Sequence, residues 1–197
     1  QNVGAKVDEE KMSYIPTFPM GLEYSEGKGA IGDVYMWKAG GIYVNQEGRR
    51  FINETLDEVV PRETALEEQT DAVQYNIFTD KIIEDLKAGN GAFMWDYYYE
   101  PEDGMGHKLI RSADSLEELA DMIGVPKDAL AETVNTYNAA VESGGTDEFG
   151  RDFSGTPTAY SLAVNKIEGD KYYAVPIKAL VVMTLGGVSV NKDMQVV

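Results

Sequence analysis

The chain has 197 residues, and its 17 basic and 34 acidic side chains give a formal charge of −17. A surface that negative repels polyanions and anionic headgroups, so neither nucleic acid nor a membrane is an expected partner, and the acidity reads as a solvated, self-repelling surface. With no cysteine, thiolate catalysis, disulfides, iron–sulfur ligation and cysteine-based zinc sites are excluded.

The length suits one domain, or one domain with borrowed segments. A piece of a longer protein is expected, because the chain begins with Gln1 and ends at Gln195-Val196-Val197 as if within a β-region. No apolar run approaches the roughly 20 residues of a membrane span. The segment therefore reads as soluble, with its compartment, cytoplasmic or exported, left open.

Residues 1–25 read as a strand and a loop, with Pro16 and Pro19 favouring extended backbone. Gly27-Lys28-Gly29-Ala30-Ile31-Gly32 spells Gly-x-Gly-x-x-Gly. A dinucleotide fingerprint needs a buried strand before it and a helix after it. Here the strand-like Asp33-Val34-Tyr35-Met36-Trp37 follows, so a flexible loop is expected. From Gly40 to Glu54 the β-formers Ile42 to Val44 and Phe51 to Ile52 flank Asn-Gln-Glu-Gly, which predicts a β-hairpin.

Pro61 to Gln69 suits a short helix with proline in its first turn, Tyr75 to Thr79 a strand, and Asp80 to Lys87 a helix stopped at Gly89-Asn90-Gly91. Trp95-Asp96-Tyr97-Tyr98-Tyr99 reads as a partly buried strand or the wall of a cleft, the charge arguing against base stacking. The single histidine, His107, falls in a turn and is expected to be solvent-exposed; without a second His or Cys it predicts no metal site.

A capping box around Asp114 to Glu117 starts a helix carrying Leu116, Leu119, Ala120 and Ile123, which Gly124 ends. Pro126 opens a second helix with a stripe of Leu130, Val134, Tyr137 and Val141, broken at Gly144-Gly145. Irregular chain follows to about Asp170, and β-rich sequence runs from Tyr172 to Val190. The mixture predicts an α+β fold.

The order Gly-Gly-Ile-Tyr-Val-Asn-x-x-Gly-x-Arg-Phe-x-Asn-Glu at 40–54 resembles a signature of the fumarate reductase and succinate dehydrogenase flavoprotein family, particularly its soluble flavocytochrome c branch. Tyr172-Tyr173-Ala174-Val175 leading to Thr184-Leu185-Gly186-Gly187-Val188 is similar to that branch's Phe-Tyr-Ala and Thr-Met-Gly-Gly-Leu. Between them, Ser115 to Ala120, Gly124-Val125-Pro126 and Tyr137-Asn138 follow the family pattern, so the resemblance covers nearly the whole chain.

The resemblance implies a capping (substrate-clamp) domain at 26–170, with strips 1–25 and 171–197 belonging to the FAD-binding domain of the same full-length protein. FAD would be bound mainly by segments outside this chain, with Gly186 and Gly187 on the cofactor side. The implied reaction reduces an activated C=C bond: flavin N5 gives hydride to one carbon and a cap arginine gives a proton to the other. Arg62 is the arginine that fits, with an insertion around Thr55 to Val60. Read from the residues alone, Arg62 is equally a helix-surface arginine paired with Glu58 or Glu63.

On the substrate side the resemblance implies Ile15, Asp33, Val182, Met183 and Thr184. Ile15 stands in a family His-Pro-Thr, and Val182 and Met183 stand where two histidines precede Thr-Met-Gly-Gly. The proton relay's Thr-Glu pair falls on Asp33-Val34; a one-residue shift places Asp33 on the glutamate, with Lys38 nearest the relay arginine. Apolar side chains cannot hydrogen-bond a fumarate oxygen. The expectation is a fragment of an FAD-dependent oxidoreductase, inactive alone, whose small unsaturated substrate is less charged than fumarate. The rival is a non-catalytic acidic binding module derived from the same family.

Overall fold

The computed structural model of the protein describes residues 5–7, 13–15, 18–56, 58–89, 91–154, 164–180, 183–185 and 187–196. In chain order the strands are β1 (Ser13–Ile15), β2 (Phe18–Ser25), β3 (Lys28–Ile31), β4 (Ile42–Val44), β5 (Val73–Thr79), β6 (Arg111–Ala113), β7 (Tyr172–Leu180) and β8 (Met183–Leu185). The helices are α1 (Val59–Glu67), α2 (Asp80–Ala88), α3 (Leu116–Ile123) and α4 (Lys127–Ser143).

Strand β7 organises the main antiparallel sheet, whose order is β3-β2-β7-β5-β4. One edge of β7 pairs with β5 from Tyr172↔Thr79 to Lys178↔Val73. The other is shared, β6 taking Tyr172 to Ala174 and β2 taking Lys178 to Leu180. Pro176 falls between those two partners, the stretch of that edge where no described strand asks for an N–H. A separate ribbon pairs β1 with β8.

The helices cover this sheet as their apolar spacing predicts. Ile82, Ile83 and Leu86 of α2, Leu119 and Ala120 of α3, and Leu130, Val134 and Tyr137 of α4 enter one core with Ile42, Ile77 and Ala174. Ser115 Oγ accepts from Glu118 N–H at 3.1 Å, and Gly124 ends α3 at φ 73°. No helix among the described residues is long and apolar enough to cross a membrane.

Four local expectations are corrected. Residues 27–32 are not a loop: Gly27, at φ 67°, turns β2 into β3. The 42–52 stretch is half a hairpin. Its turn closes through Asn45 N–H to Arg49 O at 3.0 Å, yet Phe51 and Ile52 form no strand, and β4 pairs with β5 instead. Asp33 to Trp37 is not extended, because Tyr35 adopts φ 54° and a 3-10 turn follows at Met36–Ala39. Trp95–Tyr99 is a π-helical turn closed by Glu100 N–H to Trp95 O at 3.0 Å, with the Trp95 and Tyr99 rings stacked at 6.1 Å.

Candidate functional site

Asp33 lies on the connection from β3 to β4 and is fully buried. Register explains its partners. Tyr43 of β4 and Asn76 of β5 are directly opposed, so both side chains leave the same face of the sheet. Asn76 Nδ2 donates to Asp33 Oδ1 at 2.7 Å, and the Tyr43 hydroxyl to Oδ2 at 3.0 Å. Tyr35 N–H adds a bond to Oδ1 at 3.0 Å and Trp37 Nε1 one to Oδ2 at 3.3 Å. Burial holds the Asp33 carboxyl above its ordinary range, and the bonds from Tyr35, Tyr43 and Trp37 with the charge of Arg62 offset this only in part.

Helix α1 brings Arg62 to the same place. Arg62 is only 8% exposed, its guanidinium carbon lies 5.7 Å from the centre of the Trp37 ring, and its buried Nε has no hydrogen-bond partner among the described residues. The surface-pair alternative for Arg62 is corrected accordingly, since neither Glu58 nor Glu63 holds it. Lys38 stands over the rings of Tyr35 and Trp37 at 5.0 and 5.6 Å. Two cations and one carboxylate thus converge around Trp37 with a local charge of about +1, in a chain that is otherwise strongly acidic. Glu63, next to Arg62, is buried with both oxygens unpaired.

The signature residues at 50–54 build the support beneath this cluster. Glu54 is fully buried and takes a two-pronged bond from Arg50, Nε to Oε1 and Nη2 to Oε2, each at 2.8 Å. Arg151 Nη1 reaches Glu54 Oε2 at 2.9 Å, and its Nη2 binds the carbonyl of Trp37 at 3.0 Å. Arg50 Nη1 continues to Asp147 Oδ2 at 2.7 Å. The chain on either side of the Trp37 turn is therefore tied to a charge-balanced buried network. Sequence reasoning missed Tyr43, Asn76, Trp37 and Arg151; the available signal was Gln74 and Asn76, amides on alternate positions of a strand that is otherwise largely apolar.

The remaining candidates divide. Ile15 and Met183 are directly paired in the β1–β8 ribbon, with Thr184 opposite Tyr14. Only the backbone of these three is described, and Val182 and Gly186 lie outside the described residues. Gly187 is exposed at φ 142° with open space where a Cβ would stand, a backbone that a flat ring can approach closely. Because Gly27 sits in a hairpin turn, the glycine-rich stretch cannot cradle a pyrophosphate, which needs a helix N-terminus. His107 is half-buried rather than exposed, with Nδ1 2.8 Å from the Tyr99 carbonyl oxygen. No cluster of potential metal ligands occurs among the described residues.

Comparison with known proteins gives the family. The chain is 28% identical over 199 residues to a urocanate reductase of Eggerthella lenta, a match covering 100% of the chain and 29% of that protein. It is 32% identical over 156 residues to an NADH:acrylate oxidoreductase of Vibrio harveyi, covering 79% of the chain and 14% of the relative. The chain therefore spans less than a third of the length of these curated relatives. Its fold matches the open conformation of a flavocytochrome c3 fumarate reductase with a TM-score of 0.67 at 23% identity, over 96% of this chain and 29% of that one. A family model described as an FAD binding domain matches residues 1–197. Matched along its whole length, the chain belongs to that FAD-binding family of flavoproteins, and FAD is its cofactor.

Proposed function

We propose that this chain is the capping part of an FAD-dependent oxidoreductase that reduces the C=C bond of a small enoate, with Arg62 as proton donor. The observation that carries the reading is Arg62 itself. It is a buried guanidinium on the Trp37 ring with an unpaired Nε, in the field of a carboxylate held by four donors. An arginine used only for solubility would stand in water. One used only for structure would have most of its N–H groups taken, as those of Arg50 are and as the Nη groups of Arg151 are, whereas Arg62 makes no hydrogen bond among the described residues.

When bound and reduced by the electron donor, the flavin would supply the hydride for one alkene carbon and be left oxidised. The share of this chain is the proton for the other carbon, delivered from the Arg62 guanidinium, so that one C=C π bond is exchanged for two C–H bonds. A guanidinium is a weak acid and needs a positioned group to return its proton. Asp33 and the solvent-touching Lys38 are those groups. Residues 26–170 form the cap in this reading. The strips 1–25 and 171–197 lead to the FAD-binding part, with Ile15, Val182, Met183 and Thr184 toward substrate and Gly186 and Gly187 toward flavin. β2 and β7, which lie largely in those strips, tie them into the sheet of the cap.

Urocanate and acrylate, for which the two relatives are named, each carry one carboxylate. A substrate of that class fits this chain better than fumarate. The test is steady-state turnover of the full-length flavoprotein on urocanate and acrylate with a reduced artificial donor. Arg62→Ala should lower kcat by at least about a hundredfold with KM little changed. Wild-type kcat in that variant would return Arg62 to a structural role, whereas no turnover by the unaltered flavoprotein would favour a non-catalytic module.

A further inference from the structure

Tyr35 is one of few non-glycine residues in the left-handed region among those described, with φ 54° and ψ 22°. That conformation strains a residue with a Cβ, and glycine or asparagine would make the same turn with less strain. The turn needs the backbone, whose N–H holds Asp33 Oδ1 at 3.0 Å. It does not need a tyrosine. The side chain is half-buried, with its ring beneath Lys38 and edge-on to Trp37 at 6.4 Å and 72°. Its hydroxyl has one partner, Met20 Sδ at 3.6 Å, a weak acceptor.

The surroundings decide what this hydroxyl can meet. The charged groups around it are Lys38 over the ring, Arg62 across Trp37, and Asp33, whose oxygens are already engaged by four donors. Burial and the charge of Asp33 push the Tyr35 phenol above its ordinary range, with Arg62 opposing them, so it is an O–H donor at neutral pH. A donor with an unsatisfying partner, in a patch of about +1 charge, suits an anion.

We propose that Tyr35 is a specificity residue, whose hydroxyl leaves Met20 to donate to the carboxylate of the enoate bound against Arg62. This rests on the reading of Arg62 as the proton donor. The strained turn then serves two ends at once: the backbone of Tyr35 steadies Asp33 while its ring carries the donor toward substrate. Tyr35 takes no part in proton transfer, so its contribution is to binding.

The experiment uses the full-length flavoprotein with acrylate and urocanate as substrates. Tyr35→Phe, which removes a single oxygen, should raise KM about tenfold or more while kcat stays within about twofold, as expected for a lost hydrogen bond to a charged group. Tyr35→Asn, which suits the left-handed backbone, should keep or raise the Tm and show the same loss in KM. An unchanged KM in Tyr35→Phe overturns the proposal. Arg62→Ala in the same assay separates the two failures. If it retains turnover, the reading of the whole site falls. If it abolishes turnover while Tyr35→Phe binds normally, only the role given to Tyr35 falls.

Discussion

Glu54 and Arg151 are separated by 97 positions in the chain, yet their side chains, both with no exposed surface, meet with Nη1 2.9 Å from Oε2. Burial alone would push the Glu54 carboxyl up, but the guanidiniums of Arg151 and Arg50 outweigh it and hold the group below its ordinary range. Removing one member leaves a charge stranded in the interior. Arg151→Met should therefore cost about 3–5 kcal/mol in urea unfolding. Arg49→Met, which breaks only the exposed pair with Glu132, should cost less than about 1 kcal/mol. Equal losses would show that the buried network adds nothing beyond surface pairing.

Glu63 presents the opposite case. Both of its oxygens are buried without a partner, and burial, with a smaller effect from the charge of Glu67, pushes its carboxyl above the ordinary value of about 4.5. Below the unfolded-state value the group is neutral in both states. As the pH rises from there through the raised folded value, the unfolded chain sheds its proton first, and folding loses stability. Glu63→Gln removes that penalty. Its Tm should exceed wild type by about 2–4 °C at pH 8, equivalent to about 1 kcal/mol, and match it near pH 4. A variant less stable than wild type at pH 8 would mean that the charge has a favourable partner after all.

What could be read from the sequence was whatever depends on local chemistry. The capped helices α3 and α4 follow from Ser115, Gly124 and the Leu130-Val134-Tyr137 stripe, because propensity, cap and apolar period agree there. The failures share a cause. Arg50-Phe51-Ile52 has β-forming composition, but Arg50 bends toward Glu54 and Asp147, the latter 97 residues away, and no local rule weighs such a partner. Trp95 to Tyr99 is likewise rich in aromatic β-formers, yet forms a π-turn in which Trp95 packs on Phe78 and Tyr173 from two other elements. The placing of Arg62 came from resemblance alone; its burial on Trp37 depends on α1 crossing the sheet, which no spacing reveals.

Gly40 offers a backbone test of the same region. It sits at φ 117°, ends the 3-10 turn that carries Trp37 and Lys38, and leaves no room for a Cβ against the Asn165 backbone. Its carbonyl also accepts the Tyr137 hydroxyl at 2.7 Å, which ties the turn to α4. Gly40→Ala should destabilise the chain by about 2–4 kcal/mol, through conformational strain and the forced shift of the irregular segment at Asn165 together. Gly124→Ala, at φ 73° with nothing within 4 Å of the new methyl, carries only the conformational part and should cost about 1 kcal/mol. Comparable losses at both sites would mean that the contact with Asn165 relaxes freely.

The charge around Trp37 sets the expected substrate. Arg62 and Lys38 against Asp33 leave about one positive charge, enough for one carboxylate. On the proposed reading, a second carboxylate would face the positions of Ile15, Val182 and Met183, residue types that cannot donate a side-chain hydrogen bond. An unpaired buried carboxylate costs several kcal/mol by order of magnitude, so kcat/KM for fumarate should fall at least about a hundredfold below that for urocanate or acrylate. On the same reading, an enoate with an apolar or aromatic far end should rank highest, at roughly 25 cal/mol per Å² of apolar surface covered. The measurement is a competition assay on the full-length flavoprotein with a reduced artificial donor, all substrates present together. Met183→His should then narrow the gap by restoring one donor for the second carboxylate. Fumarate consumed first by the unaltered protein would show that its second carboxylate is held by groups outside this chain.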